Sequence, residues 1–169
     1  MKWIRYLFHY LYRFLISSNN YIIYEKYRIK YDLHPTFRFN GKDIIFSGEG
    51  EIKIGCNTYI GVQSSIQSVI GSKVSIGNDC AISHNVKIYT SNYNSTEIIT
   101  KNSKKERREG DVIIGNNCWI GVNVLIIEGV TIGSNVVIGG NSVVTKNIQN
   151  NCVVGGIPAK VLKKNDYKK

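Results

Sequence analysis

An aliphatic residue recurs at every sixth position through much of this chain. Ile54, Ile60 and Ile66 begin the series, Ile76, Ile82 and Ile88 resume it, and Ile114, Ile120, Ile126, Ile132, Ile138 and Val144 complete it. Such a period matches neither the roughly 3.6-residue turn of a helix nor the alternation of a simple strand. Four places after most of these residues stands a slim one: Thr58, Ser64, Cys80, Val86, Cys118, Val124, Val130, Val136 and Ser142. Glycine directly follows many of them, at Gly55, Gly61, Gly77, Gly115, Gly121, Gly133 and Gly139. Short strands joined by sharp corners satisfy the pattern, with aliphatic and slim residues pointing inward and glycine tolerating the corner backbone. Three hexads per turn make a triangular prism of parallel β-coils, each hydrogen-bonded to the next, whose two ends need covers.

The register breaks twice, by a small insertion between Ile66 and Ile76 and a larger one between Ile88 and Ile114. The second contains SNYNSTEIITKNSKKERREGD, a polar loop with no place in the prism. Loops ejected from a rigid solenoid often carry function. Ahead of the repeats, MKWIRYLFHYLYRFLISS has helical spacing: Arg5, His9 and Arg13 form a narrow basic stripe, and Trp3, Ile4, Leu7, Phe8, Leu11, Phe14 and Leu15 cover most of the rest. The segment is too short and too charged to span a bilayer, which leaves a membrane surface or an end of the prism as its resting place. The expected organisation is an N-terminal helix and connector over 1–49, a β-helix over 50–163 with loop 91–111, and a basic tail over 164–169.

The net charge of +10 is uneven. Residues 1–30 carry six basic groups against Glu25, and residues 160–169 carry five against Asp166. Such ends suit an anionic small molecule or membrane, and nucleic acid ranks last because no nucleic-acid motif accompanies them. The four cysteines lack the close pairing of a zinc site and no cleavable signal peptide is expected, so free thiols in a reducing cytoplasm are the plain reading.

Read as [LIV]-G-x-x-[STAVC]-x, the pattern resembles the hexapeptide-repeat acyltransferases, over about two-thirds of the chain. The segment VIIGNNCWIGVNVLIIEGVTIGSNVVIGGNSVVTKNIQNNCVVGGIPAKVLKK, residues 112–164, is similar to the C-terminal half of maltose, galactoside and polysaccharide O-acetyltransferases. The resemblance implies an all-β fold, a left-handed parallel β-helix with an N-terminal amphipathic helix and one ejected loop. It further implies a homotrimer with active sites between adjacent prisms, acetyl-CoA as acyl donor, no metal, and a sugar or glycan acceptor. Carried over by motif, the positions expected to hold the cofactor are Val122, Gly140, Thr145, Lys146, Lys160 and Lys163.

Within the repeats stands one histidine, in AISHNVKIYTSN. His84 falls two places after Ile82, where a hexad points its side chain outward. Acetyl transfer from a thioester to an alcohol needs a base that takes the hydroxyl proton and returns it to the leaving thiolate, and an imidazole suits that task. The family gives a split message. The maltose and galactoside enzymes place their histidine in a segment resembling I-Y-T-x-x-H, where this chain has Tyr93. The acyltransferases of lipid A synthesis and the bacillosamine acetyltransferases place it in I-A-H-x-x-x-[IV], which I-S-H-N-V-K-I resembles. His84 is therefore the expected general base, with Asn85, Tyr89, Asn92 and Tyr93 as candidates for the acceptor pocket.

A carbonic anhydrase on the same fold would need three histidine ligands, and an ice-binding prism would need a repeated threonine face. Neither pattern is present. The function expected is O-acetylation of a bacterial surface polysaccharide or glycolipid, with N-acetylation of an amino sugar or small xenobiotic, or a catalytically inactive binding scaffold, as alternatives. The basic aromatic N-terminus suits a cytoplasmic protein working at the inner face of the membrane through residues 1–20.

Overall fold

The computed structural model describes residues 2–93 and 106–164; the remainder of loop 91–111 and all but Lys164 of the tail lie outside them. Helix α1 (Lys2–Lys30) leads into β1 (Asp32–Leu33), β2 (Arg38–Asn40) and β3 (Ile45–Ser47), the first coil of the prism. The second coil is β4 (Glu51–Ile54), β5 (Tyr59–Gly61) and β6 (Ser65–Gln67); the third is β7 (Lys73–Ile76), β8 (Ala81–Ile82) and β9 (Lys87–Tyr89). A hairpin of β10 (Ser91–Tyr93) and β11 (Arg107–Glu109) then leaves the prism. The fourth coil is β12 (Val112–Ile114), β13 (Trp119–Ile120) and β14 (Leu125–Ile126). The fifth is β15 (Thr131–Ile132), β16 (Val137–Ile138) and β17 (Val143–Val144), followed by β18 (Cys152–Gly155) and β19 (Lys160–Lys164).

Three parallel sheets form the faces. The first face runs β1-β4-β7-β12-β15, the second β2-β5-β8-β13-β16-β18 closed by antiparallel β19, and the third β3-β6-β9-β14-β17. Register follows the hexads, pairing Ile60 with Ile82 and Ile66 with Ile88 across successive coils. Every aliphatic residue of the series is buried, as are Thr58, Ser64, Cys80, Val86, Cys118, Val124, Val130, Val136 and Ser142. Both insertions leave at the corner between the third and first faces. There Thr90 Oγ1 accepts from Val69 N at 3.0 Å, and Gly110 N donates to Thr90 O at 3.0 Å.

Two features differ from the sequence expectation. The repeating glycines do not supply the unusual backbone at the corners. That conformation belongs to the residue three places after the aliphatic one, with φ near +55° at Asn57, Asp79, Asn85, Asn117, Asn123, Asn135 and Asn141. Asparagine tolerates it because its short amide bonds locally. The glycines answer a different need: a Cβ on Gly121 would stand 2.6 Å from Gly140 N, so successive coils can stack only where no side chain intervenes. The amides also form ladders along the edges, with Asn85 Nδ2 donating to Asn123 Oδ1 at 2.8 Å and Asn123 Nδ2 to Asn141 Oδ1 at 3.0 Å.

The prism also begins before residue 50. Its first coil buries Phe46 where later coils bury isoleucine and Phe37 where they bury the slim Thr58 and Cys80, so the hexad rhythm is absent although the pairing is regular. These rings receive the second half of α1. Tyr24 stacks on Phe39 at 4.2 Å between centroids, Tyr27 on Phe46 at 5.2 Å, and Arg28 Nη2 donates to Phe37 O at 2.7 Å. The helix thus covers the open end of the coil, burying ring area that contributes strongly to stability. Residues 2–15 extend beyond this contact and are exposed throughout.

Candidate functional site

Every turn of the prism places one residue at the same point on the edge between the second and third faces. Because Ile60, Ile82, Ile120 and Ile138 are in register, the residues two places on, Val62, His84, Val122 and Gly140, form a single column. Backbone bonds fasten it: Asn85 N to Val62 O at 2.8 Å, Asn123 N to His84 O at 3.0 Å, and Asn141 N to Val122 O at 2.8 Å. The structure therefore brings together the expected base and two of the expected cofactor residues, which lie far apart in sequence.

His84 is exposed, and its ring lies over the coil below. Val62 N donates to His84 Nδ1 at 3.2 Å, and the ring occupies space that a Cβ on Gly61 would fill. A lone pair engaged by an N–H leaves the proton of the neutral imidazole on Nε2. In this arrangement Nε2 is a donor.

The other expected cofactor residues separate into two groups. Lys160 pairs with Gly155 and Lys163 with Val153, so both lie on β19 at the far end of the second face. Thr145 and Lys146 follow Val144 at the opposite edge of the third face. Gly140 sits tightly against the coil below, where a Cβ would meet Val122 O at 3.1 Å and Val122 Cγ1 at 3.2 Å.

The outer surface of the third face carries a groove of about 540 Å³. Its floor is formed by residues flanking the buried aliphatics, Ile45, Ser47, Ser65, Gln67, Lys87 and Tyr89, and its wall by Ser91, Asn92, Tyr93 and Arg107 of the hairpin. Tyr89, Asn92 and Tyr93 thus line it as expected acceptor residues, whereas Asn85 belongs to the amide ladder on the edge. Tyr89 Oη lies 3.2 Å from Ser65 Oγ. Lys87 and Arg107 were not singled out from sequence. The signal for Lys87 was its outward place beside Ile88; Arg107 carried none, because hairpin pairing alone sets it opposite Tyr93. Groove and edge meet at one peptide segment: Lys87 Nζ donates to Gln63 O at 2.7 Å, and Gln63 follows Val62, which holds the His84 ring.

At the base of the hairpin, Arg108 pairs with Glu128 at 3.0 Å, and the glutamate side chain is only 7% exposed. Cys80 and Cys118 fill slim core positions, their thiols donating at 3.1 Å to Gly115 O and Gly133 O. The neighbouring Cys80 thiol and burial together push the Cys118 thiol up.

The bacterial transferase hexapeptide (six repeats) family matches residues 111–146. Galactoside O-acetyltransferase of Escherichia coli strain K12 is 39% identical over 120 residues, which are 71% of this chain and 57% of that protein. The chain thus spans less than two-thirds of that relative's length. Among solved structures, a maltose O-acetyltransferase from Clostridium difficile 630 superposes with a TM-score of 0.64 at 28% identity, covering 90% of this chain and 89% of its own. A hexapeptide-repeat-containing acetyltransferase from Vibrio cholerae O1 biovar eltor, complexed with acetyl coenzyme A, superposes with a TM-score of 0.65 at 25% identity over 83% of this chain and 75% of that one.

Proposed function

We propose that the chain, which matches the bacterial transferase hexapeptide family over residues 111–146 and is 39% identical to galactoside O-acetyltransferase over 120 residues, moves an acetyl group from acetyl-CoA to a hydroxyl of a sugar in a bacterial surface polysaccharide or glycolipid. The observation that carries this reading is the column His84–Val122–Gly140 beside the groove on the third face. Both partners of a direct transfer then have a place: the acceptor in the groove, the donor along the edge.

The residues present fit an acyl-CoA. Gly140 carries no side chain over the backbone of the edge, and Lys160 and Lys163 supply cations for phosphate at its far end. The bound donor would provide the thioester that is cleaved. His84 handles the proton, taking it from the acceptor hydroxyl and releasing it to the departing sulfur. For Nε2 to accept that proton, the imidazole first leaves Val62 N–H and carries its own proton on Nδ1. The exposed edge leaves the ring room to turn.

Thr145 and Lys146 stand across the width of the third face from His84, so they reach a shared donor only from a neighbouring subunit. This supports a homotrimer with the site between prisms, and exposed Trp119 and Val122 are suited to line that contact. The unpartnered segment 2–15 presents Trp3, Leu7, Phe8 and Phe14 beside Lys2, Arg5 and Arg13. That composition suits the anionic inner surface of a membrane. No helix among the described residues is long and apolar enough to cross one.

The test is an acceptor screen with isotopically labelled acetyl-CoA over surface glycans, nucleotide sugars and amino sugars, read by mass spectrometry for wild type and His84→Ala. Label on a sugar oxygen with loss in the variant supports the reading. Label only on nitrogen moves the activity to amino sugars, and an unchanged rate in His84→Ala removes the histidine. Sedimentation and liposome flotation test the trimer and the membrane contact.

A further inference from the structure

We propose that the groove on the third face selects a negatively charged saccharide, one bearing a carboxylate or a phosphodiester, as the unit to be modified. The inference rests on the acetyl-transfer reading and narrows its acceptor.

Among the described residues lining the groove, two are cations and none is a carboxylate. Both cations are held by neutral acceptors. Lys87 Nζ donates to the carbonyl of Gln63, and Arg107 Nη2 donates to Tyr93 Oη at 3.3 Å while its guanidinium lies 5.1 Å from the Tyr93 ring centroid. These contacts fix the direction of each charge without neutralising it. Among the described residues, the five ion pairs of the chain include neither side chain. The hairpin acids Glu106 and Glu109 both lie outside the lining, Glu109 opposite Ser91, where it acts on Arg107 through space. A groove lined in this way holds net positive potential, which favours an anionic ligand and raises its local concentration.

The rest of the lining fits a sugar. Tyr89 and Tyr93 offer ring faces to the apolar face of a pyranose, and Ser47, Ser65, Gln67 and Asn92 offer hydroxyl and amide groups to its oxygens. Lys87 stands at the edge nearest the His84 column and Arg107 on the opposite wall, so a bound unit is oriented by charge at both sides. The planar guanidinium is suited to bidentate contact with carboxylate or phosphate.

The deciding experiment compares kcat/KM for three oligosaccharides of similar length: one containing uronic acid, one linked by phosphodiesters, one neutral. Either anionic acceptor outperforming the neutral one is expected, and the better of the two identifies the charged group. In Lys87→Gln/Arg107→Gln, the ratio of anionic to neutral kcat/KM falls about 10-fold, the scale of a lost charge-assisted hydrogen bond. Lys87→Arg/Arg107→Lys restores part of that ratio, which a purely structural role for these positions would not do. Circular dichroism of each variant verifies folding. A wild-type preference for the neutral acceptor, or an unaltered ratio in the double glutamine variant, overturns the inference while leaving acetyl transfer intact. Transfer to none of the three, with acetyl-CoA bound by calorimetry, would instead count against the sugar-modifying function itself.

Discussion

The imidazole of His84 rests on the backbone of Val62, one coil below, with Val62 N donating to its Nδ1 at 3.2 Å. The contact exists because Gly61 has no side chain in the space the ring occupies. One glycine therefore sets both the seat of the ring and the nitrogen that bears its proton.

Gly61→Ala should unseat the ring. The added methyl would also meet His84 N and Ser83 C at 2.9 Å, so the coil must shift. The expected stability loss is about 1–3 kcal/mol, typical of overpacking, with acetyl transfer falling no further than stability explains, because the ring leaves this seat to accept a proton. Nitrogen NMR of the wild-type ring should report an unprotonated Nδ1 and a protonated Nε2; the variant should lose that preference. Acetyl transfer falling much further than stability would show that turnover needs the seated ring.

Asn123 has φ of +58° and sits mid-ladder between Asn85 and Asn141. Asn123→Ala combines a left-handed backbone with a β-carbon and loses both amide bonds. Asn123→Gly loses the bonds but relaxes the backbone. The alanine variant should thus be the less stable by about 1 kcal/mol, measured by urea denaturation. Equal stability would mean that the conformation carries no strain.

Arg108→Ala should cost about 1–3 kcal/mol, because it leaves the buried Glu128 carboxylate without its cation. One oxygen of that carboxylate has no hydrogen-bond partner among the described residues. Adding Glu128→Gln should recover part of the loss by removing the charge. If the double variant is no better than the single one, the cost lies in the hairpin rather than in the stranded carboxylate.

The two halves of α1 should behave differently. Tyr27→Ala, which strips a ring from the stack on Phe46, should lower stability by about 1–3 kcal/mol. A chain shortened by residues 2–15 should melt within a few degrees of the full one, as no side chain in that stretch is buried. A large drop in melting temperature would mean that the segment supports the fold, for example across subunits.

The hexad rhythm determined the prism. Because inward positions admit only aliphatic or slim side chains, Ile54 through Val144 announced their faces, their register and both insertions. The outward place of His84 was readable from the same count. The first coil was not readable: Phe37, Phe39 and Phe46 fill the end of the prism with aromatic volume, and no six-residue rhythm is needed where α1 supplies the cover. Nor could the sequence reveal that asparagine rather than glycine carries the corner conformation, since both residue types tolerate it. Stacking alone decided the site. Coils separated by an insertion of any length still pair at the fixed spacing of strands, so His84 meets Val122 across the ejected loop, and Lys87 shares a groove with Arg107. Proximity of that kind comes from backbone hydrogen bonds between coils, and no spacing along the chain encodes it.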